Sequence, residues 1–243
     1  MQNLQNVQNH ALLNNVDHKD LRIVTARGAR YGDAVMSALT FPAEFRDVQA
    51  YYPIVFSKAA DGLSFQPLAL FGLQEGENLF LEGEQWQAPY VPLAILRQPF
   101  LIGSGGGDGD PMVYVDLDSP RVSDAEGEPV FLPHGGTTEY IERVNSTLAT
   151  IHAGLQATAP FIEALLQNEL LESFVLDVTL EDGGEGRLGG YYTINEDRLA
   201  SLDTAAVEKL HKAGYLQAIY MAIASMAHLR DLIERVNRRR RHA

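Results

Sequence analysis

His134 and Glu139 are the residues of this chain whose types and spacing come closest to acid–base chemistry. His134 lies in the proline- and glycine-containing segment LPHGGTTEY, five residues before Glu139. An imidazole beside a carboxylate can move a proton near neutral pH. A structural or solvent-exposed histidine is the alternative interpretation. We therefore take His134 and Glu139 as candidates for binding a ligand or a partner, and we predict no catalytic role for them.

Trp86, Tyr90 and Arg97 form a second group of candidate binding residues, in the proline-rich segment QWQAPYVPLAILRQPF. Large aromatic side chains and arginine dominate many protein interfaces because they combine apolar area with polar ends. A packed corner of the core is the alternative. If these three residues met His134 and Glu139 in one concave site, the chain would be a small-ligand-binding protein or an enzyme.

Other catalytic and metal-binding patterns are missing from the sequence. Cysteine is absent, which excludes thiol nucleophiles, thiolate zinc sites and disulfide bonds. No serine follows the Gly-x-Ser-x-Gly pattern of a hydrolase. The histidines within predicted helices (His152, His211 and His228) lack a second metal ligand four residues further on. We predict no catalytic residue, no metal and no cofactor.

The glycine-rich run at residues 103–109 resembles a phosphate-binding loop only in composition. It ends in Asp108-Gly109-Asp110 instead of the Gly-Lys-Ser/Thr that holds phosphate and magnesium, and a strand rather than a helix is predicted after it. A loose cation site formed by the acids is the alternative, although the EF-hand spacing is not met. We predict a connector between two extended segments.

The distribution of charge argues against bulk nucleic-acid binding. The chain has a net charge of −13, and five arginines lie in its last nine residues (Arg235, Arg238, Arg239, Arg240 and Arg241). The remainder is therefore still more acidic and repels phosphate backbones. The arginines alone could touch nucleic acid, anionic lipid or an acidic partner. The alternative is a solvated helix end whose positive charges complement the helix dipole.

The sequence predicts a single domain with short extensions at both ends. We expect a flexible arm over residues 1–20, one domain over residues 21–236 and a basic tail over residues 237–243. The N-terminal segment lacks the basic start and apolar run of a secretory signal. No segment has the about 18 consecutive apolar residues of a membrane span. We therefore expect a soluble, cytoplasmic protein.

Hydrophobic periodicity predicts an α+β fold with a largely antiparallel sheet, helices packed on it and a helical C-terminus. Residues 52–57, 64–73 and 77–83 predict a three-stranded meander because short β-rich runs follow each other at close spacing. The segment SFVLDVTLEDGGEGRLGGYYTIN predicts a β-hairpin, with EDGGEG as its turn.

Helical spacing marks three further regions. Residues 137–171 are helical in pattern, and Pro160 predicts a division into two helices. The next helix has Asp203 as its N-cap and Gly214 as its C-cap. The last, YLQAIYMAIASMAHLRDLIERVNRRR, is apolar nearly all round in its first half, which predicts burial.

Several segments, in this order, resemble one bacterial protein family. YYPIVFSK, FQPLALFGLQEGENLFLEGEQW and APYVPLAILRQPF are similar to segments of the SapC family. DLDSPRVSDAEGEPVF and the C-terminal LGGYYTINEDRLASL also resemble that family. The resemblance covers roughly residues 30–235, and the combination is specific although no single segment would be.

The resemblance implies an accessory role and carries over no catalytic residues. Members of the family occur beside flavin-dependent halogenase-like proteins, cupin-like oxygenases and TonB-dependent receptors, and the family label derives from proteins associated with a surface layer. A peptide-transporter permease of similar name spans the membrane and is a different protein. Our leading hypothesis is a soluble, non-catalytic protein that acts through protein contacts. A surface-layer component and a homo-oligomer are left open.

Overall fold

The computed structural model describes residues 9–59, 62, 64–104 and 111–242 of the 243-residue chain. Its elements, in chain order, are β1 (His10–Leu12), β2 (Arg22–Ile23), a 3-10 helix (Ala29–Tyr31), β3 (Ser37–Leu39), α1 (Phe45–Val48), β4 (Ile54–Lys58), β5 (Phe65–Leu70), β6 (Leu81–Glu82), β7 (Gln85–Trp86), α2 (Leu93–Leu96), β8 (Phe100–Ser104), β9 (Pro111–Asp116), β10 (Val122–Ser123), β11 (Glu128–Pro129), α3 (Glu139–Gln167), β12 (Leu171–Thr179), β13 (Glu185–Ile194), α4 (Glu196–Ala200), α5 (Thr204–Lys212), α6 (Tyr215–Ser225) and α7 (His228–His242). The predicted α+β class is confirmed, including the antiparallel sheets and the helical C-terminus.

The chain clusters into two compact units, and each has β-sheet structure and buried apolar residues of its own. The first unit comprises residues 1–33, 83–85 and 93–152, and the second comprises residues 34–82, 86–92 and 153–243.

The first unit is built on two small antiparallel sheets. In one sheet β9 lies between β1 and β8, and in the other β2 lies between β10 and β11. The N-terminal part of α3 presents Ile141, Val144 and Leu148 on one face, at the three- and four-residue spacing of a helix. These side chains are buried in a cluster with Ile23 and Phe100. The cluster fixes the first turns of α3 against the rest of the first unit.

The second unit contains a five-stranded antiparallel sheet in the order β12-β13-β4-β5-β3. Ile54, Val55 and Phe56 on β4 are all fully buried, as expected for a central strand that is covered on both faces. The backbone N–H of Ile54 donates to the hydroxyl of Ser225, at 2.8 Å, at the end of α6. This bond ties α6 to the sheet inside the second unit.

The predicted hairpin is present as β12 and β13. Its register runs from Leu171 opposite Ile194 to Thr179 opposite Glu185, with a bulge between Phe174 and Leu176. The turn contains Gly183 in the left-handed region, with a φ of 82° that glycine adopts without strain. The local turn chemistry and the alternating pattern were therefore sufficient to locate this element.

Pro160 does not divide the long helix, so that prediction is wrong. α3 runs without interruption from Glu139 to Gln167. Proline removes one helical hydrogen bond, but Phe161, Ile162 and Leu165 directly after it are buried. The apolar contacts of these three residues stabilise the continuing turns.

Two other local predictions are wrong. The third strand of the expected meander is short (Leu81–Glu82) and does not join the five-stranded sheet. The last predicted helix is divided into α6 and α7 after Ser225. Ser225 is fully buried and donates to the carbonyl of Ala222 at 2.6 Å, so its hydroxyl competes with regular helical bonding. The predicted N-cap of α5 is confirmed, since Asp203 accepts a hydrogen bond from the backbone N–H of Ala206 at 2.8 Å.

The predicted extensions contain regular structure where they are described. His10–Leu12 forms β1 and pairs with β9, and residues 237–242 continue α7. The predicted single domain over residues 21–236 stays a prediction. The glycine-rich connector lies outside the described residues from position 105 to position 110. Among the helices that are described, none has the length and apolar content needed to cross a bilayer.

Candidate functional site

Trp86 and Tyr90 use their polar ends within the second unit. The indole N–H of Trp86 donates to the hydroxyl of Tyr52 at 2.7 Å, and that hydroxyl donates to the backbone carbonyl of Tyr90. The hydroxyl of Tyr90 donates to a carboxylate oxygen of Glu44 at 2.8 Å. The other oxygen of Glu44 accepts from the hydroxyl of Thr40 at 2.8 Å. We call these five residues the Tyr52 network.

The Tyr52 network is closed by aromatic packing. The rings of Phe71, Phe80 and Trp86 meet the ring of Tyr52 edge-on, with centroids 4.7–6.5 Å apart. Burial raises the pKa of the Tyr52 hydroxyl above its ordinary value. Burial, together with the charge of Glu44, raises the pKa of Tyr90 as well. Both hydroxyls therefore stay protonated at physiological pH and act as hydrogen-bond donors.

Arg97, His134 and Glu139 lie in the first unit. Arg97 is partly buried and donates to the backbone carbonyl of Phe100 at 2.7 Å, and burial lowers the pKa of its guanidinium. His134 is exposed in the turn before α3, and Glu139 is exposed at the first residue of α3. Because Trp86 and Tyr90 belong to the other unit, a shared binding site for these five residues stays a prediction.

Three charged residues that the sequence analysis did not single out meet inside the first unit. Arg27 follows β2, Asp33 follows the 3-10 helix, and Arg121 precedes β10. The Asp33 side chain is fully buried and lies 2.6 Å from Nη2 of Arg121 and 3.4 Å from Nη1 of Arg27. We call these three residues the Asp33 cluster.

Backbone groups hold the Asp33 cluster in place. The second oxygen of Asp33 accepts from the N–H of Gly28 at 2.9 Å. Nη1 of Arg121 donates to the carbonyls of Val24 and Ala26 at 3.1 and 2.9 Å. Nε of Arg121 is buried and has no hydrogen-bond partner among the described residues. The cluster therefore contains a polar atom that the described part of the chain leaves unsatisfied.

A cavity of about 370 Å³ lies beside the Asp33 cluster. We call it the arginine pocket; its lining includes Arg27, Gln98, Arg121, Tyr140, Arg143 and Val144. The first turns of α3 supply Tyr140, Arg143 and Val144 on one side. Burial lowers the pKa of the Arg27 guanidinium and raises the pKa of the Tyr140 hydroxyl to about 12. Both groups remain protonated at neutral pH and can donate hydrogen bonds.

The C-terminal arginines contact other parts of the second unit. Arg239 donates to the carbonyls of Asn78 and Leu81 at 2.6 and 2.8 Å. Arg240 pairs with Asp182 at 2.8 Å, and this hydrogen bond lowers the pKa of Asp182. Two more contacts are Arg235 over the Phe80 ring and Arg241 with Glu181. These contacts favour a structural helix end over a free polycationic tail.

No cluster of three histidine, aspartate or glutamate side chains suited to a metal ion is found in the part of the chain that the structure describes.

The five side chains predicted from the sequence do not line the arginine pocket. The residues that do line it gave little signal, because Arg121 lies in the polar segment DLDSPRVSDAEG and Arg27 lies in TARGARYGD. Arg27 is six positions from Asp33, but the contact between Arg121 and Asp33 joins residues that are 88 positions apart.

Comparison with known proteins identifies a family but no function. No curated protein matches the chain, and no solved structure matches it. A family model described as SapC matches residues 13–232, which include both β12 and the residues of the arginine pocket. Since this match covers most of the sequence, the chain belongs to the SapC family.

Proposed function

We propose that this SapC protein is a non-catalytic accessory protein that acts through contacts with other proteins. The observation that carries the proposal is the position of β12, the outermost strand of the five-stranded sheet. An outermost strand presents one row of backbone N–H and C=O groups away from the sheet, and a partner's extended segment can pair with them. We assign the outer edge of β12 as the contact surface.

The length and exposure of β12 support this assignment. β12 has nine residues, whereas β3 at the opposite edge has three. β13 is the only strand that pairs with β12 in the described ranges. Val175, at the bulge, is 44% exposed. An apolar side chain at an exposed edge favours pairing with another chain over solvation.

Charge specifies the kind of segment that fits. Glu172 and Asp177 are the acidic residues of β12, and both are exposed. The chain as a whole has a net charge of −13. An extended segment that carries basic and apolar residues would therefore be favoured, both on approach and in register.

The family resemblance supplies candidates for the partner. Halogenase-like and cupin-like proteins, TonB-dependent receptors and a surface layer are the systems that it implies. We propose a cytoplasmic protein that meets one of the first two classes. Fractionation of the native host tests the compartment, and recovery of the protein in the surface fraction would favour the surface-layer alternative.

Site-specific photo-crosslinking in the native host tests the assigned surface. A photo-reactive residue replaces Val175 on β12 or, as the matched control, Val207 on α5, which is 37% exposed in the same unit. We expect a protein partner to be crosslinked at position 175 and not at position 207. With the purified partner, Val175→Glu should weaken binding about tenfold, whereas Val207→Glu should leave it unchanged.

Three results would overturn the proposal. They are equal crosslinking at both positions, no protein adduct at position 175, and adducts only with a second copy of this chain, which would assign the edge to a homo-oligomer. Turnover of a small substrate that is lost on His134→Ala would also overturn the non-catalytic assignment. That last result would instead support the alternative function, an enzyme or small-ligand binder using Trp86, Arg97 and His134.

A further inference from the structure

We propose that the arginine pocket binds a small organic carboxylate, with Arg121 and Arg143 as the residues that hold its charge. This site belongs to the first unit, whereas β12 belongs to the second, and the inference does not depend on the protein-contact function proposed above. It would give the protein a ligand as well as a partner.

The charge balance of the pocket favours an anion. Arg27, Arg121 and Arg143 line the cavity together with one carboxylate, Glu128, and Asp33 pairs with Arg27 and Arg121. Three guanidiniums against two carboxylates leave one positive charge in excess, in a chain whose net charge is −13. A buried charge without a counter-charge is costly, so an incoming anion would be stabilised at this place.

Arg121 supplies the second observation. Its side chain is 2% exposed, so water reaches it poorly. Three of its N–H bonds are directed to the carbonyls of Val24 and Ala26 and to Asp33. Its Nε remains unpartnered within the described residues. Buried donors in native proteins are nearly always satisfied, so this N–H distinguishes Arg121 as a guanidinium whose hydrogen-bonding capacity the described chain does not use up.

The shape and lining of the pocket define the ligand class. About 370 Å³ is near the lower end of the range for small-molecule sites. Leu96, Tyr140 and Val144 offer apolar and aromatic surface beside the arginines. A guanidinium matches the planar, two-oxygen geometry of a carboxylate. A carboxylate attached to a small apolar or aromatic body therefore uses both parts of the lining, whereas inorganic phosphate uses only one.

Calorimetric titration of the purified full-length protein tests the inference. The probes are benzoate, its neutral analogue benzyl alcohol, and inorganic phosphate. We expect benzoate to bind, benzyl alcohol to bind at least about tenfold more weakly, and phosphate to bind more weakly than benzoate. Arg143→Gln should weaken benzoate binding about tenfold, because Arg143 is exposed at the pocket and its loss removes one charge contact.

The matched control is Arg230→Gln, an exposed arginine on α7 outside the pocket, which should leave benzoate binding unchanged. Arg121→Lys keeps the charge but removes the planar fork, and it should weaken benzoate if circular dichroism shows a native fold. The inference is overturned if benzoate does not bind more tightly than about 10 mM, if benzyl alcohol binds as well as benzoate, or if phosphate binds more tightly than benzoate. Equal effects of Arg143→Gln and Arg230→Gln would also overturn it.

Discussion

The Tyr52 network and the Asp33 cluster are both groups of buried polar side chains. Only in the Tyr52 network does each side-chain donor have an acceptor in the protein, and we call such a network closed. In the Tyr52 network the indole N–H of Trp86 and the hydroxyls of Tyr52 and Tyr90 each have a protein acceptor, and aromatic rings surround them. In the Asp33 cluster two guanidiniums share one carboxylate, Nε of Arg121 is unpartnered in the described chain, and a cavity adjoins it.

We expect the two regions to contribute to different properties. The Tyr52 network contributes to the stability of the fold, and the Asp33 cluster contributes to ligand binding. A closed network can bind a further ligand only by breaking its own hydrogen bonds, so it mainly rigidifies the core. The Asp33 cluster has an unsatisfied donor and one positive charge in excess of its carboxylate, and the arginine pocket beside it leaves room for a ligand. Trp86 and Tyr90 therefore lie in a region whose hydrogen-bonding groups are already used within the protein. Arg121 lies in a region that retains an unused donor.

Asp33→Asn should give the largest effect, because it leaves Arg27 and Arg121 buried without a carboxylate. We expect the free energy of unfolding to fall by about 3–5 kcal/mol, measured by urea denaturation followed by circular dichroism. Asp20→Asn is the control, since the Asp20 side chain is 79% exposed and should change stability by about 0.5 kcal/mol or less. Equal effects of the two substitutions would show that the cluster does not stabilise the fold.

Tyr52→Phe should give the next largest effect, because it removes one hydroxyl that both accepts and donates. The indole N–H of Trp86 and the carbonyl of Tyr90 lose their partner, and we expect a loss of about 1–3 kcal/mol. The same denaturation experiment measures it. Tyr220→Phe serves as the control because Tyr220 is 58% exposed. A loss below that of the control would mean that the network is not closed as described.

Arg239→Gln should destabilise the second unit by about 0.5–1.5 kcal/mol, because the carbonyls of Asn78 and Leu81 lose their charged donor. Arg238→Gln is the neighbouring control on the same helix and should have an effect within about 0.5 kcal/mol. Thermal unfolding of both variants measures the difference. If Arg238→Gln were the more harmful, the C-terminal arginines would not act through these carbonyl contacts.

Tyr140→Phe should give the smallest effect of the four variants at neutral pH, because its effect appears only in alkali. Burial raises the pKa of Tyr140 from 10.0 to about 12, so its protonated form adds stability that is fully present below pH 10 and is lost as the pH rises to about 12. The variant lacks this loss. Its free energy of unfolding should therefore rise relative to that of the parent chain between these pH values, measured by denaturation at a series of pH values. A constant difference would contradict the burial of this hydroxyl.

The sequence correctly predicted the elements that depend on residues lying close together in the chain. The hairpin was predictable because alternating side chains and EDGGEG act within a few residues, and Asp203 was predictable as a cap because its acceptor reaches Ala206. The prediction of a break at Pro160 failed because burial of Phe161 and Leu165 outweighs one lost hydrogen bond. The division between α6 and α7 at Ser225 was not predicted, because the hydroxyl that bonds to Ala222 also accepts from the N–H of Ile54, which is 171 positions away.

The candidate sites show the same division between local and remote information. Trp86, Tyr90 and Arg97 were selected because their residue types are common in interfaces, but the polar ends of Trp86 and Tyr90 are bonded inside the second unit. Arg121 was not singled out, because it lies in the polar segment DLDSPRVSDAEG and arginine is mostly exposed in proteins. Its contact with the carboxylate of Asp33, together with the carbonyls of Val24 and Ala26, compensates for its burial.

The sequence by itself determined the α+β class, the hairpin, the N-cap at Asp203 and the membership of the SapC family, because periodicity, turn residues and family segments can be recognised over short stretches. The tertiary structure decided which polar residues are buried and which of them remain unsatisfied. The reason is energetic: a buried guanidinium is stable only beside a carboxylate, and here that carboxylate comes from a residue 88 positions away.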